Sequence, residues 1–102
     1  MKRMMVRYRI KADRVDENKR YIRNVFEQLK HEQPIGLRYA TFVLDDGLSF
    51  MHLVSLETED GSNPLHTVAA FKAFTAGIQD RCDELPVAVD LQEVGSYAWF
   101  GE

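Results

Sequence analysis

The sequence predicts an α+β domain in which a four-stranded antiparallel sheet carries two helices on one face. Three observations point to this class. Residues 4–11 alternate Met4, Val6, Tyr8 and Ile10 with Met5, Arg7, Arg9 and Lys11, the period of two that a strand with unlike faces requires. Residues 37–56, LRYATFVLDDGLSFMHLVSL, set two runs rich in β-branched and aromatic residues on either side of Asp45-Asp46-Gly47, a hairpin signal. Two further segments repeat apolar residues at three- and four-residue spacing, the period of an amphipathic helix.

Taken in order, the first strand runs from Met4 to Lys11. Asp13 is placed to cap a helix whose first turn holds Asp16 and Glu17, acids favoured by the helix dipole, and whose apolar stripe is Tyr21, Ile22, Val25, Phe26 and Leu29. Gln33-Pro34 ends it. The hairpin supplies strands two and three, and Thr58 to Asn63 (TEDGSN) is a polar loop. Ser62 or Asn63 can cap a second helix with Pro64 in its first position, where a missing N–H does no harm. Leu65, Val68, Phe71, Phe74 and Ile78 trace its inner face, and it ends near Arg81 or Cys82, before Leu85-Pro86. Val87, Val89 and Leu91 alternate with Ala88, Asp90 and Gln92 in strand four; Gly95 marks a bend, after which Tyr97 to Phe100 continue extended. The resulting order, strand-helix-strand-strand-helix-strand, is the ferredoxin-like βαββαβ pattern, with strand one expected between strands three and four.

A chain of 102 residues has room for one such domain, residues 1–102, and with 45% hydrophobic and 28% charged residues it falls in the ordinary globular range. Its formal charge of -3, with both signs interspersed, and strands that lack a glycine-aromatic signature speak against a nucleic-acid partner. Cys82 is the only cysteine, which excludes an intramolecular disulfide and a cysteine-based zinc site and fits a reducing compartment. The basic amino-terminal stretch alternates Arg with apolar residues and so does not read as a signal peptide, and no run approaches membrane-spanning length. The expectation is a cytoplasmic protein with no membrane partner, no metal and no cofactor.

The sheet face away from the helices decides the oligomeric state. With Val6, Tyr8 and Ile10 turned inward, Arg7 and Arg9 project outward, and Asp90 and Gln92 are expected to form the matching polar set of strand four. In the hairpin one residue of register is open. A three-residue loop pairs Leu44 with Leu48 and puts Arg38, Ala40 and Phe42 on the face of Phe50, His52 and Val54; a two-residue Asp46-Gly47 turn pairs Asp45 with Leu48 and puts Tyr39, Thr41 and Val43 there instead. Either way strand two carries large apolar side chains on both faces, which predicts a homodimer packed through the sheet. Tyr97, Trp99 and Phe100 would then reach across to the second copy or close the end of the monomer's own core.

The element order, the segment Phe71-Lys72-Ala73-Phe74 and the ending Leu91-Gln92-Glu93-Val94-Gly95-Ser96-Tyr97 resemble the dimeric α/β-barrel superfamily, in particular antibiotic-biosynthesis-monooxygenase-like proteins. That resemblance implies two ferredoxin-like protomers packed sheet against sheet into a barrel, with a ligand pocket between the sheet and helices of each. It also implies that enzymes among them oxidise aromatic phenols or quinols with oxygen, using neither metal nor flavin. The chain departs from the family pattern in having no Trp on strand three and Ala70, in place of a histidine, ahead of Phe71; His66 lies nearby.

His52 is the candidate catalytic residue, because a histidine on a strand among Phe50, Val54 and Phe42 or Tyr39 can be a tuned acid or base in an apolar pocket. Arg38 is a candidate ligand-binding residue through its guanidinium fork, as are Tyr8 and Tyr39, which can orient a phenolic ligand, and His66 beside a polar loop. Arg38, Arg7 and Arg9 serve equally as ion-pair residues. Cys82 sits near a helix carboxy-terminus and lacks the setting that activates a thiol. Asp45-Asp46-Gly47 lacks the spaced ligands of a calcium loop, and Glu57 and Glu59 would share a face only if strand three reaches them. The functional expectation is a homodimeric binder of a small aromatic ligand, with cofactor-free monooxygenase-like chemistry as its enzymatic form; the alternative is a non-enzymatic dimerisation or regulatory module.

Overall fold

The computed structural model describes residues 1–99. Strand β1 (Lys2–Ile10) leads through a 3-10 turn (Ala12–Arg14) into helix α1 (Val15–Glu32), followed by β2 (Leu37–Val43) and β3 (Ser49–Leu56). A second 3-10 turn (Pro64–Thr67) precedes helices α2 (Ala69–Ala76) and α3 (Ile78–Arg81), and β4 (Cys82–Leu91) completes the sheet. The strand order is β2-β3-β1-β4, all antiparallel, so β1 lies between β3 and β4 as the crossover argument requires. The core forms where Val25 of α1 and Phe74 of α2 meet Tyr8, Ile10, Phe50 and Val54 of the sheet.

Local sequence explains most of the boundaries. Gln33 ends α1 in the left-handed region, its N–H donating back to the Leu29 carbonyl. Asn63 accepts from the Leu65 N–H and Pro64 occupies the first turn, as expected, although that turn is 3-10 and α2 begins only at Ala69. Gly77 then divides the expected single second helix into α2 and α3. Asp13 lies within the first 3-10 turn and makes no side-chain cap bond to α1.

The hairpin adopts the register of the shorter turn: Val43 opposes Phe50, Thr41 opposes His52 and Tyr39 opposes Val54. The Leu44 N–H donates to the Ser49 carbonyl at 2.8 Å and the Gly47 N–H to the Leu44 carbonyl at 2.9 Å, with Gly47 at φ +72°. The Asp46 carboxylate accepts from the Ser49 hydroxyl and from the N–H groups of Ser49 and Leu48, which holds its pKa down at about 2.

Strand β4 faces opposite to expectation. Arg7 pairs with Val87, Met5 with Val89 and Arg3 with Leu91, so the apolar set lies on the uncovered face, and Asp90 falls on the helix side opposite Met4. Register shifts between Arg7 and Ile10, beside Pro86, set this phase; proline lacks the N–H that a regular ladder needs. The uncovered face therefore reads, row by row across the sheet, Phe42-Met51-Arg7-Val87 and Ala40-Leu53-Met5-Val89. Beyond Leu91 the described chain forms no further strand; Tyr97 and Trp99 are 93% and 60% exposed, so they do not close the core, and Phe100 lies outside the described residues.

Candidate functional site

The hairpin register decides the site. It places His52 on the helix-facing side of β3, between Thr41 of β2 and Val6 of β1, with Tyr39 and Tyr8 diagonally adjacent. His52 is 3% exposed, and both ring nitrogens are engaged. Nε2 lies 2.7 Å from the Tyr8 hydroxyl; Nδ1 lies 2.5 Å from the Tyr39 hydroxyl and 3.0 Å from that of Thr41.

The chain of contacts continues into the helices. The Asn18 amide N–H of α1 donates to the Tyr8 oxygen at 3.1 Å, and the Asn18 carbonyl accepts from Nε of Arg81 at 3.2 Å. Arg81, 1% exposed at the end of α3, also donates to the Phe74 carbonyl at 2.7 Å, and its guanidinium lies 4.5 Å from the centre of the Tyr21 ring. Oxygen acceptors and a ring face thus compensate a charge taken out of water. Arg81 to Tyr39 is one continuous chain, buried from Arg81 to His52 and half-buried at Tyr39: Arg81, Asn18, Tyr8, His52, Tyr39.

Burial sets the ionisation of its members. Desolvation lowers the His52 pKa from 6.5 to about 4, so the imidazole is neutral at pH 7. Burial pushes Tyr39 up to about 12, with the Thr41 hydrogen bond opposing in part. Tyr8 is raised as well, by burial, against the opposing pull of the Asn18 bond. His52, Tyr8 and Tyr39 are therefore uncharged around neutrality.

Beside His52 lies a cavity of about 220 Å³ whose apolar wall includes Met4, Val6, Val54, Leu65, Phe71 and Phe74. Tyr8, Tyr39 and His52, with Asn63 and Thr75, supply its polar groups, and none of its lining side chains is an acid, a lysine or an arginine. A dry apolar cavity of about 150 Å³ accepts benzene, so this one has space for a molecule of one or two rings. Such a site can bind an uncharged ligand and orient one polar group at the tyrosines.

The structure brings Tyr8, Tyr39 and His52 together and leaves Arg38 and His66 apart from them. Arg38 is on the opposite sheet face, exposed and paired with Glu57 at 2.9 Å, where it borders a second cavity with Phe42, Leu53 and Trp99. His66 is exposed in the 3-10 turn before α2. Glu59 is exposed beyond the end of β3. The Cys82 thiol is buried, and burial raises its pKa. Among the described residues no group of three or more His, Cys, Asp or Glu side chains is arranged to hold a metal ion.

Asn18 and Arg81 were not legible as functional residues from residue type alone. A positional signal existed for both: Asn18 continues the α1 stripe of Ile22 and Val25, and Arg81 continues the line of Phe74 and Ile78. A polar residue in an apolar stripe is a buried polar group, which must find a partner.

No protein-family model matches this chain, and neither does any curated protein. The fold does match solved structures. An antibiotic biosynthesis monooxygenase superposes with a TM-score of 0.75 at 17% identity, covering 93% of this chain and 100% of that one. A monooxygenase-like protein of that class from Nitrosomonas europaea gives 0.74 at 17% identity with the same coverage. Another from Bacteroides thetaiotaomicron gives 0.72 at 14% identity over 91% of this chain and 89% of that one. The chain therefore has the ferredoxin-like fold of antibiotic-biosynthesis-monooxygenase-like proteins.

Proposed function

We propose that this protein is a single-domain homodimer that binds a small, uncharged, largely apolar aromatic ligand. The observation that carries the reading is the cavity beside His52: apolar walls, a polar edge of two tyrosines and a neutral imidazole, and no ionic side chain to offset a charged guest. Titration calorimetry with 2-naphthol tests it, with 2-naphthoate as the charged counterpart. The expected result is binding of the naphthol, at least tenfold weaker binding of the carboxylate, and loss of naphthol binding in Val54→Phe, which fills the cavity. Equal affinity for the two probes, naphthol binding undiminished by Val54→Phe, or binding of neither probe would refute the reading; the last result leaves the chain as a dimerisation module only.

The dimer reading is supported by the uncovered sheet face. Phe42, Val87, Val89 and Leu91 are each more than 40% exposed and share a face with Met51, Leu53 and Met5, too large an apolar surface to leave in water. Light scattering after size exclusion should give twice the chain mass at micromolar concentration, and Leu53→Asp should give the monomer. A wild-type monomer would sink the dimer. The single, buried, free Cys82 supports a reducing, cytoplasmic setting, and no helix among the described residues is long and apolar enough to cross a membrane.

A second reading, cofactor-free monooxygenase chemistry on the bound ligand, is favoured by the shared fold with monooxygenase-like structures. Its test is oxygen uptake with naphthalene-1,4-diol in the presence of a chelator. Protein-dependent uptake that Val54→Phe abolishes supports it, and a rate equal to the buffer background ends it.

A further inference from the structure

The direction of hydrogen bonding along the buried chain follows from its cationic end. A guanidinium has only donors, so the atom of Asn18 that faces Arg81 must be its carbonyl oxygen. The Asn18 amide nitrogen then faces Tyr8 and donates to it. Tyr8, already accepting that proton, has its own O–H to place, and among the described residues Nε2 of His52 is the acceptor within reach, at 2.7 Å. Nε2 must therefore be bare, and a neutral imidazole bare at Nε2 carries its proton on Nδ1, where the Tyr39 oxygen at 2.5 Å, nearer than that of Thr41 at 3.0 Å, receives it.

We infer that Arg81, acting through Asn18 and Tyr8, is a positioning residue that locks His52 in the Nδ1–H tautomer and aims every donor of the chain toward Tyr39. The reversed direction puts two donors face to face at Arg81, or leaves a buried Tyr8 hydroxyl proton without an acceptor, and each is penalised in a dry interior. Gly77 contributes by its lack of a side chain, since a Cβ there would come within 3.1 Å of an Arg81 Nη atom.

The lock changes what His52 can do. Its bare nitrogen is occupied by the Tyr8 proton and its other nitrogen is a donor, so it cannot take a proton from a guest in the cavity. Tyr39, at the cavity edge, is where the chain ends, and of the chain's members its hydroxyl is the one left to meet a ligand. This inference concerns the resting protein and stands whether or not the proposed ligand is found.

Long-range proton–nitrogen correlation spectra of 15N-labelled protein report which ring nitrogen of each histidine is protonated. The His52 signals are assigned by their loss in His52→Gln. In the wild type Nδ1 should show the protonated signature and Nε2 the bare one. Asn18→Asp should invert the pattern: beside Arg81 the new carboxylate is ionised and can only accept, so Tyr8 donates to it and Nε2 of His52 donates to Tyr8. Arg81→Met, which frees the Asn18 amide to turn, should move both nitrogens to intermediate positions. A wild-type His52 protonated on Nε2 overturns the inference without any variant. So does an unchanged tautomer in a folded Asn18→Asp or Arg81→Met protein.

Discussion

Lowering the pH from 7 to 5 should destabilise this protein through His52. Its imidazole titrates near 6.5 when the chain is unfolded and near 4 in the folded core. Well above pH 6.5 neither state holds the proton and the residue is silent. As the pH falls below 6.5 the unfolded chain takes up a proton that the folded core refuses, so stability declines until the folded pKa is reached. Between pH 7 and 5 the loss integrates to about 2 kcal/mol, at about 1.4 kcal/mol per pH unit once the unfolded imidazole is mostly charged. The interval is chosen to stay above the carboxylates. Asp46, Asp60 and Glu17 have depressed folded pKa values, so their contributions are intact above the unfolded carboxylate range and fade only in more acidic solution. Urea unfolding at each pH, at one fixed protein concentration, measures the curve. His52→Gln keeps every other ionisable group, and its stability should vary by about 2 kcal/mol less than wild type over the same interval. Parallel curves for the two proteins would refute the claim that a neutral, desolvated histidine sits at the centre of the core.

Arg81→Met removes the donor to the Asn18 and Phe74 carbonyls and should cost about 1–3 kcal/mol in urea unfolding, the penalty for buried acceptors left unpaired. Gly36 has φ +81°, and a Cβ there would lie 2.8 Å from the Thr58 side chain and 3.1 Å from its backbone nitrogen; Gly36→Ala should therefore cost about 1–3 kcal/mol, read as a lowered thermal midpoint. Asp46→Ala should destabilise the protein at pH 7, and because the wild-type carboxylate gives up its contribution as the pH falls toward 2, the two unfolding midpoints should converge there.

Much of the fold was legible because its determinants are local. The alternation in residues 4–11 and the three-four spacing in α1 each act over a few residues and each produced its element, while the Asn63-Pro64 pair produced a 3-10 turn ahead of α2. The single second helix was misjudged at Gly77, where absence of a side chain accommodates an arginine four residues later, a need visible only once Arg81 is seen folded back. The candidate site was half legible. His52, Tyr8 and Tyr39 stood out as polar or aromatic residues on strands, with the facing of His52 and Tyr39 left open by the hairpin register, whereas Asn18 and Arg81 are 63 residues apart and meet only in the tertiary fold.

By itself, then, the sequence determined the strand and helix order and the central place of β1, since periodicity and crossover handedness suffice for both. Tertiary structure alone decided two matters. The shift of pairing between β1 and β4 turned Val87, Val89 and Leu91 outward, because side-chain direction inverts with one residue of register. Closure of the hairpin by the Leu44–Ser49 bond put Tyr39, and not Arg38, beside His52, so the ligand's edge of the site is neutral and the cation of the hydrogen-bonded chain, Arg81, lies at its far end.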